Sequence, residues 1–147
     1  MEARIFAIPD AGGPGWLSLL LVLPVLLLIV LAVVFWPRPL QIEITDSELR
    51  IRGSIYGRSV PRRKLQTAQA RIIDLAVDRE LIPTLRTNGT ALGNYQVGWF
   101  RLADRERALC FLTRRDSVLY VPTTENYALL LSTSSPDELL KAVQGGT

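Results

Sequence analysis

The stretch QVGWFRLADRERALCFLTRRDSVLYV, residues 96–121, decides the fold. It contains three apolar-rich segments, residues 96–102, 108–113 and 117–121, and each is about as long as an ordinary strand. Charged residues fill the two connections between these segments. The pattern predicts three short β-strands joined by turns, and therefore a domain that is mainly β.

Further strands are predicted on both sides of this stretch. Apolar and polar residues alternate before and after Asp46-Ser47, which is typical of a half-buried hairpin that turns at this dipeptide. The additional predicted strands are residues 40–45, 49–53, 58–60, 68–74 and 127–131. Residues 75–95 are less regular, and Asn88-Gly89 inside them is a strong signal for a tight turn.

The end of the chain predicts one amphipathic helix over residues 135–144. Ser135 is a candidate N-cap, Pro136 suits the first helical position, and Glu138 lies three residues after the serine. Apolar residues then recur at helical spacing until Gly145-Gly146 ends the run. We expect this helix to close the β domain.

Several short motifs between residue 40 and residue 144 resemble one known family. They are LRIRG at 49–53, YGR at 56–58 with Pro61, RTNGT at 86–90, GWFRL at 98–102, YALLLS at 127–132 and the helix that begins at Pro136. The most distinctive pieces contain Arg86, Asn88, Gly89, Gly98, Trp99 and Phe100. Together the motifs are similar to the bacterial pleckstrin-homology-like (PH-like) domains found on small membrane proteins.

This resemblance implies a fold more than a function. It implies a mainly β, two-sheet antiparallel sandwich or partly open barrel of seven or eight strands, capped by one C-terminal α-helix. The family resembles a set of binding or assembly modules. It carries no catalytic residue over to this chain.

An uncharged stretch precedes the domain, from Trp16 to Trp36. At about 1.5 Å per residue, a helix over this stretch is roughly 31 Å long, close to the ~30 Å thickness of a bilayer core. We predict a transmembrane helix over residues 16–36, after a short flexible arm of residues 1–15 and before a domain of residues 37–147. A cleavable signal peptide is the alternative. The apolar run is longer than is usual for one, and no small residues follow it at a cleavage site.

The flanking charges predict an orientation in the membrane. Arg4 is the one basic residue before the stretch, whereas Arg38, Arg50 and Arg52 follow within twenty residues. The positive-inside rule then places the N-terminus outside and the domain in the cytoplasm. We therefore expect a single-pass protein of the cytoplasmic (inner) membrane.

A run of basic residues provides the candidate binding surface. It comprises Arg50, Arg52, Arg58, Arg62, Arg63 and Lys64, and no Asp or Glu lies between Leu49 and Ile73. Near an anionic leaflet each such charge contributes about 1 kcal/mol, so we consider contact with anionic lipid headgroups or with a protein partner. The alternative is a solvated strand edge whose charges serve only the orientation. Nucleic acid is not expected, because no aromatic residues interleave the arginines as a stacking platform.

The inventory of catalytic residue types is poor. The sequence has no histidine and one cysteine, Cys110, which lies on an apolar strand face with Ala108 and Leu112. The carboxylates are scattered at turns, without a metal-ligand cluster, and no glycine loop of the phosphate-binding type is present. We expect no catalytic residues, no metal and no cofactor. Trp99 is predicted to lie partly in the core, with ligand stacking as the alternative.

These observations favour a membrane-anchored binding or scaffolding module. An accessory or regulatory subunit of a larger membrane enzyme or transporter is a narrower alternative, and a hydrolase or transferase is a remote one. The partners considered are the membrane, a protein of another kind, and a second copy of this chain paired through an exposed strand edge.

Overall fold

The computed structural model describes residues 15–34 and 39–145, and the chain divides into two compact units after Pro37. The first unit contains helix α1, Trp16–Val34. Every side chain described in it, from Leu20 to Val33, is exposed. Most of the predicted arm, residues 1–14, and the last two residues of the predicted span, Phe35 and Trp36, lie outside the described residues.

The predicted transmembrane segment is therefore helical over Trp16–Val34. Its helical structure alone does not place it in a membrane. When only the fully described residues are counted, no helix reaches the length and apolar character that crossing a membrane requires. The transmembrane assignment stays a prediction.

The second unit is built from two sheets and one helix. The first sheet has the order β1-β2-β3, with β1 at Gln41–Ile44, β2 at Glu48–Arg52 and β3 at Ser59–Pro61. The second has the order β4-β8-β9-β7-β6-β5, with β4 at Arg71–Ile73, β5 at Pro83–Leu92, β6 at Tyr95–Leu102, β7 at Arg107–Leu112, β8 at Val118–Pro122 and β9 at Ala128–Ser132. Helix α2 is Pro136–Gln144. The prediction of a mainly β, two-sheet domain with a C-terminal helix is confirmed.

The predicted hairpin is confirmed as β1 and β2, which pair antiparallel. Leu49 and Ile51 are buried between the sheets, while Arg50 and Arg52 point to the outer face. This alternation follows from the two-residue period of a strand that has one buried face.

The expectation of an entirely antiparallel sandwich is wrong at one pair. β9 lies between β8 and β7 in the second sheet and pairs antiparallel with β8 but parallel with β7. The reason is that β7 and β8, although consecutive, are not neighbours, since β9 inserts between them. Strand alternation alone does not reveal such an insertion.

The prediction of a tight turn at Asn88-Gly89 is also wrong. Both residues lie inside β5, where Asn88 pairs with Trp99 and Gly89 with Gly98 of β6. The hairpin turns instead at Gly93-Asn94. Because β5 occupies the stretch predicted to be irregular, the described residues contain nine strands rather than seven or eight.

Helix α2 begins as predicted, but its cap is simpler. Pro136 occupies the first turn and Ser135 the N-cap position, yet the serine side chain makes no capping hydrogen bond. The Ser135 carbonyl accepts a hydrogen bond from the Leu139 amide at 3.1 Å. The capping box expected from Ser135 and Glu138 is therefore not formed.

The core lies on both faces of the six-stranded sheet. One face packs against the three-stranded sheet and α2, with Leu109, Leu129 and Val143 among its buried residues. The other face is covered by residues 73–82 and contains Cys110 together with Ala108 and Leu112, as predicted. Burial on both faces explains why β7 and β9 are apolar without alternation.

Candidate functional site

The six basic residues of the predicted binding run do different things in the structure. On the outer face of the three-stranded sheet, Arg50 forms an ion pair with Glu48, and Arg52 forms one with Glu43 at 3.4 Å. Arg50 also donates a hydrogen bond to the Ser59 hydroxyl at 3.1 Å. These exposed pairs add little stability, but they balance the charge of that face locally.

Arg62 is engaged by the backbone. Its guanidinium donates hydrogen bonds to the carbonyl oxygens of Ala142 at 2.6 Å, Val143 at 2.8 Å and Thr45 at 3.2 Å. Ala142 and Val143 lie in the last turn of α2, whose carbonyls have no partner within the helix. A cation at this end also suits the helix dipole. Arg62 therefore fastens α2 to the β1–β2 turn.

Lys64 and Arg63 are adjacent in the chain but differ in their ion pairs. Lys64 forms an ion pair with Glu125, and this hydrogen bond holds the pKa of the Glu125 carboxyl below its usual value. Arg63 is exposed and forms no ion pair with any described residue.

Arg58 belongs to a cluster that we call the Trp99 site, formed by Arg58, Trp99, Arg107 and Tyr127. The guanidinium carbon of Arg58 lies 5.8 Å from the ring centroid of Trp99 and 5.8 Å from that of Tyr127. The guanidinium carbon of Arg107 lies 4.6 Å from the Trp99 ring centroid. All three distances are within the range of cation–π attraction.

Strand register brings these side chains together. Trp99 on β6 pairs with Leu109 on β7, and Arg107 lies two residues before Leu109. Side chains two apart on a strand share a face, so Arg107 is a diagonal neighbour of Trp99. Tyr127 immediately precedes β9, and its ring meets that of Trp99 edge to face, with centroids 5.2 Å apart and planes at 74°.

Tyr127 supplies a polar group in an apolar setting. Its side chain is buried, with 5% of the residue exposed, and its hydroxyl has no hydrogen-bond partner among the residues described. Burial raises the pKa of this hydroxyl, an effect that Arg58 opposes and Glu125 reinforces. Because this hydroxyl is enclosed beside Glu125, Tyr127 supports the Trp99 ring and does not present a polar group to a ligand.

The family-motif positions divide between the two faces of the β5–β6 pair. Asn88 lies opposite Trp99 and accepts a hydrogen bond from the Tyr56 hydroxyl at 3.1 Å. Arg86 is exposed and lies opposite Phe100, which is buried on the same face of the six-stranded sheet as Cys110. Trp99 is half-buried on the face of the six-stranded sheet that packs against the three-stranded sheet, which agrees with its predicted position partly in the core.

Two members of the Trp99 site were not predicted from the sequence. Arg107 and Tyr127 lie far from the basic run along the chain, and only the pairing of β6, β7 and β9 brings them to Trp99. The available signal was Trp99 itself, because a half-buried tryptophan on a strand directs attention to the partner strands on its face.

A second polar cluster lies around Tyr120. Its hydroxyl donates a hydrogen bond to the Glu106 carboxylate at 3.0 Å, and Arg71 lies 5.2 Å from its ring centroid. Burial, with the nearby Glu106 charge, raises the pKa of Tyr120 to about 12. Since each of these groups has a partner, we regard the cluster as structural.

The remaining chemistry is sparse in the described part of the chain. No group of three or more His, Cys, Asp or Glu residues there could hold a metal ion. Cys110 is fully buried, and burial raises the pKa of its thiol. A thiol in this state is a poor nucleophile.

A two-sheet β domain with a C-terminal helix and a surface aromatic–arginine cluster defines a small β module of the PH-like class. A family model described as bacterial PH domain matches residues 40–146, which is well over half of the chain. The chain therefore belongs to the bacterial PH domain family. No curated protein and no solved structure matches it. PH domains are generally non-catalytic modules that commonly bind lipids or proteins.

Proposed function

We propose that this chain is a single-pass protein of the cytoplasmic membrane whose PH domain is a binding module at the inner membrane surface. The observation that carries the proposal is the exposure of α1, whose apolar side chains from Leu20 to Val33 are uncovered in the chain by itself. A continuous apolar surface of this kind is normally covered by lipid or by another protein.

The connection between the two units supports a location at the membrane surface. Six residues, 35–40, separate the end of α1 from the start of β1. Even fully extended, such a segment spans only about 21 Å. A domain on so short a tether acts close to the surface in which α1 is embedded.

The charge of the domain supports contact with anionic headgroups. Sixteen basic residues and twelve acidic residues follow the helix. Arg58, Arg63 and Arg107 are exposed and form no ion pair within the described residues. Arg62 is left out of the binding surface, because the backbone carbonyls occupy its donors.

Anchoring and orientation can be tested with one introduced cysteine. Ser134 is exposed, whereas the native Cys110 is 0% exposed. We expect the Ser134→Cys variant to stay in the membrane fraction during alkaline extraction. We also expect it to react with an impermeant maleimide only after the cells are opened, because the domain is inside.

The wild-type chain is the matched control, since its one thiol should react only after denaturation. Labelling of Ser134→Cys in intact cells would contradict the orientation, and release by alkali would contradict the anchor.

Headgroup contact can be tested in the full chain reconstituted into nanodiscs. Ile55 is 91% exposed in the loop that precedes Arg58, so a fluorophore on an Ile55→Cys variant reports whether this loop meets the bilayer. With phosphatidylglycerol mixed equally into phosphatidylcholine, we expect a blue shift of emission. The shift should be absent in phosphatidylcholine alone and should disappear at high salt, because exposed charges are screened.

The matched control is the same fluorophore on Val77→Cys, which is 76% exposed in the segment that covers the opposite face of the six-stranded sheet. Replacement of Arg58 and Arg63 together by glutamine should remove the shift at position 55. An equal shift at both labelled positions, or one that survives the double replacement, would rule out contact through this surface.

A further inference from the structure

We infer that the Trp99 site binds a phosphate group, with Arg58 and Arg107 as its two ligands. The inference rests on the proposed binding role of the domain, but it does not depend on membrane anchoring.

Two guanidinium groups converge here on one aromatic ring. Since the carbons of Arg58 and Arg107 lie 5.8 Å and 4.6 Å from the same centroid, they are no more than about 10 Å apart. A phosphate presents several oxygens and can accept charge-assisted hydrogen bonds of about 2.8 Å from two arginines on one side of such a ring. A single carboxylate, by contrast, is matched by one bidentate arginine.

Neither arginine forms an ion pair with a carboxylate in the described structure. The ion pairs there involve Arg50, Arg52, Lys64 and Arg114. Glu125 is attracted to Arg58 but forms its ion pair with Lys64. Two like charges held close together without a counterion repel each other. A bound dianion or monoanion would offset this repulsion.

The aromatic residues organise the arginines before any ligand arrives. Trp99 is held between β5 and β7 and meets the buried ring of Tyr127 edge to face. A guanidinium group that packs against such a ring is already partly ordered, so it loses less side-chain entropy on binding an oxyanion than a free arginine does.

The test uses Trp99 as its own reporter. The chain has three tryptophans, and replacing Trp16 and Trp36 by phenylalanine leaves Trp99 as the sole indole. The full chain in neutral detergent is titrated with inorganic phosphate, and with acetate at matched ionic strength. A second arm uses nanodiscs of phosphatidylcholine with or without phosphatidylglycerol, to distinguish free phosphate from a lipid phosphate.

We expect a saturable change in Trp99 emission with phosphate or with phosphatidylglycerol, but not with acetate. The variant Arg107→Gln should weaken binding by about tenfold or more, as expected for the loss of a hydrogen bond from a charged group. Arg107→Lys should retain part of the affinity. Arg86→Gln removes an equal charge on the opposite face of the β5–β6 pair and should leave binding unchanged.

Each variant is first shown to fold by circular dichroism that matches that of the parent, and each outcome below then supports or overturns the phosphate site. A response to phosphatidylglycerol alone that requires Arg107 supports the site and assigns it to a lipid headgroup, whereas a response to inorganic phosphate assigns it to soluble phosphate as well. A response equal for acetate, or unchanged in both Arg58→Gln and Arg107→Gln, overturns the site. So does the lack of any response. External labelling of Ser134→Cys would overturn the membrane proposal and leave this site standing.

Discussion

Replacing Gly98 with alanine is expected to destabilise the domain by about 3 kcal/mol or more, or to prevent folding altogether. Gly98 has a φ of 122°, a backbone conformation that side chains disfavour. A Cβ atom there would also lie 2.5 Å from the Asn88 carbonyl oxygen and 2.5 Å from the Gly89 Cα. Both contacts are with backbone, so no side-chain rotation relieves them.

The measurement is equilibrium unfolding of the full chain, followed by circular dichroism in denaturant. Gly93→Ala is the matched control. Gly93, in the hairpin turn, has a φ of 57° but nothing within 4 Å of an added Cβ. This variant should cost only about 1 kcal/mol, from the left-handed backbone alone. If the two variants unfold at the same denaturant concentration, close approach of β5 and β6 is not what requires glycine at position 98.

Replacing Arg62 with methionine is expected to lower the free energy of unfolding by about 2–4 kcal/mol. The substitution keeps the apolar stem but removes the donors to the Thr45, Ala142 and Val143 carbonyls. A hydrogen bond to a charged group is worth roughly 1.5–3 kcal/mol, and the partly buried setting makes the loss substantial. The end of α2 should loosen before the rest of the domain.

Hydrogen exchange of the α2 amides measures this loosening directly. Arg63→Met is the matched control, because the adjacent Arg63 is exposed and forms no ion pair with a described residue; it should stay within about 0.5 kcal/mol of the parent. Equal protection of α2 in the two variants would show that Arg62 is no more structural than its neighbour. The expected result also means that Arg62 variants confuse loss of folding with loss of binding.

The strands with one buried face were readily predicted from the sequence. In β2, Leu49 and Ile51 alternate with Arg50 and Arg52, and the structure has this alternation. The start of α2 was marked by Pro136. Local patterns of this kind survive folding because the period of the element and the position of its buried face are set along the chain itself.

The strand β5 was hidden for a physical reason. It lies at the edge of the six-stranded sheet, and nearly all of its residues are exposed or half-buried, so it has no apolar stripe. It also contains two register shifts, one between Pro83 and Leu85 and one between Arg86 and Asn88. Asn88-Gly89 then predicts a turn, although Gly89 serves the close approach to Gly98.

The candidate site was only partly accessible from the sequence. A count of charges between residues 50 and 64 treats six basic residues as equivalent, but the role of a charged side chain depends on its partners in the fold. The fold brings Glu48, Glu43 and Glu125 to three of them. It brings the end of α2 to Arg62 and the Trp99 ring to Arg58.

The sequence by itself determined the family, the uncharged apolar stretch before the domain, the strands with a buried face and the closing helix. These features depend on periodicity and composition, which are local. Only the tertiary structure decided that β7 and β9 run parallel, that Gly98 touches Gly89, and that Arg107 joins Arg58 at Trp99. The first depends on the insertion of β9 beside β7, the second on the pairing register of β5 and β6, and the third on the packing of the segment before β3 against the six-stranded sheet. Register and packing of this kind are set by the whole core and not by local pattern.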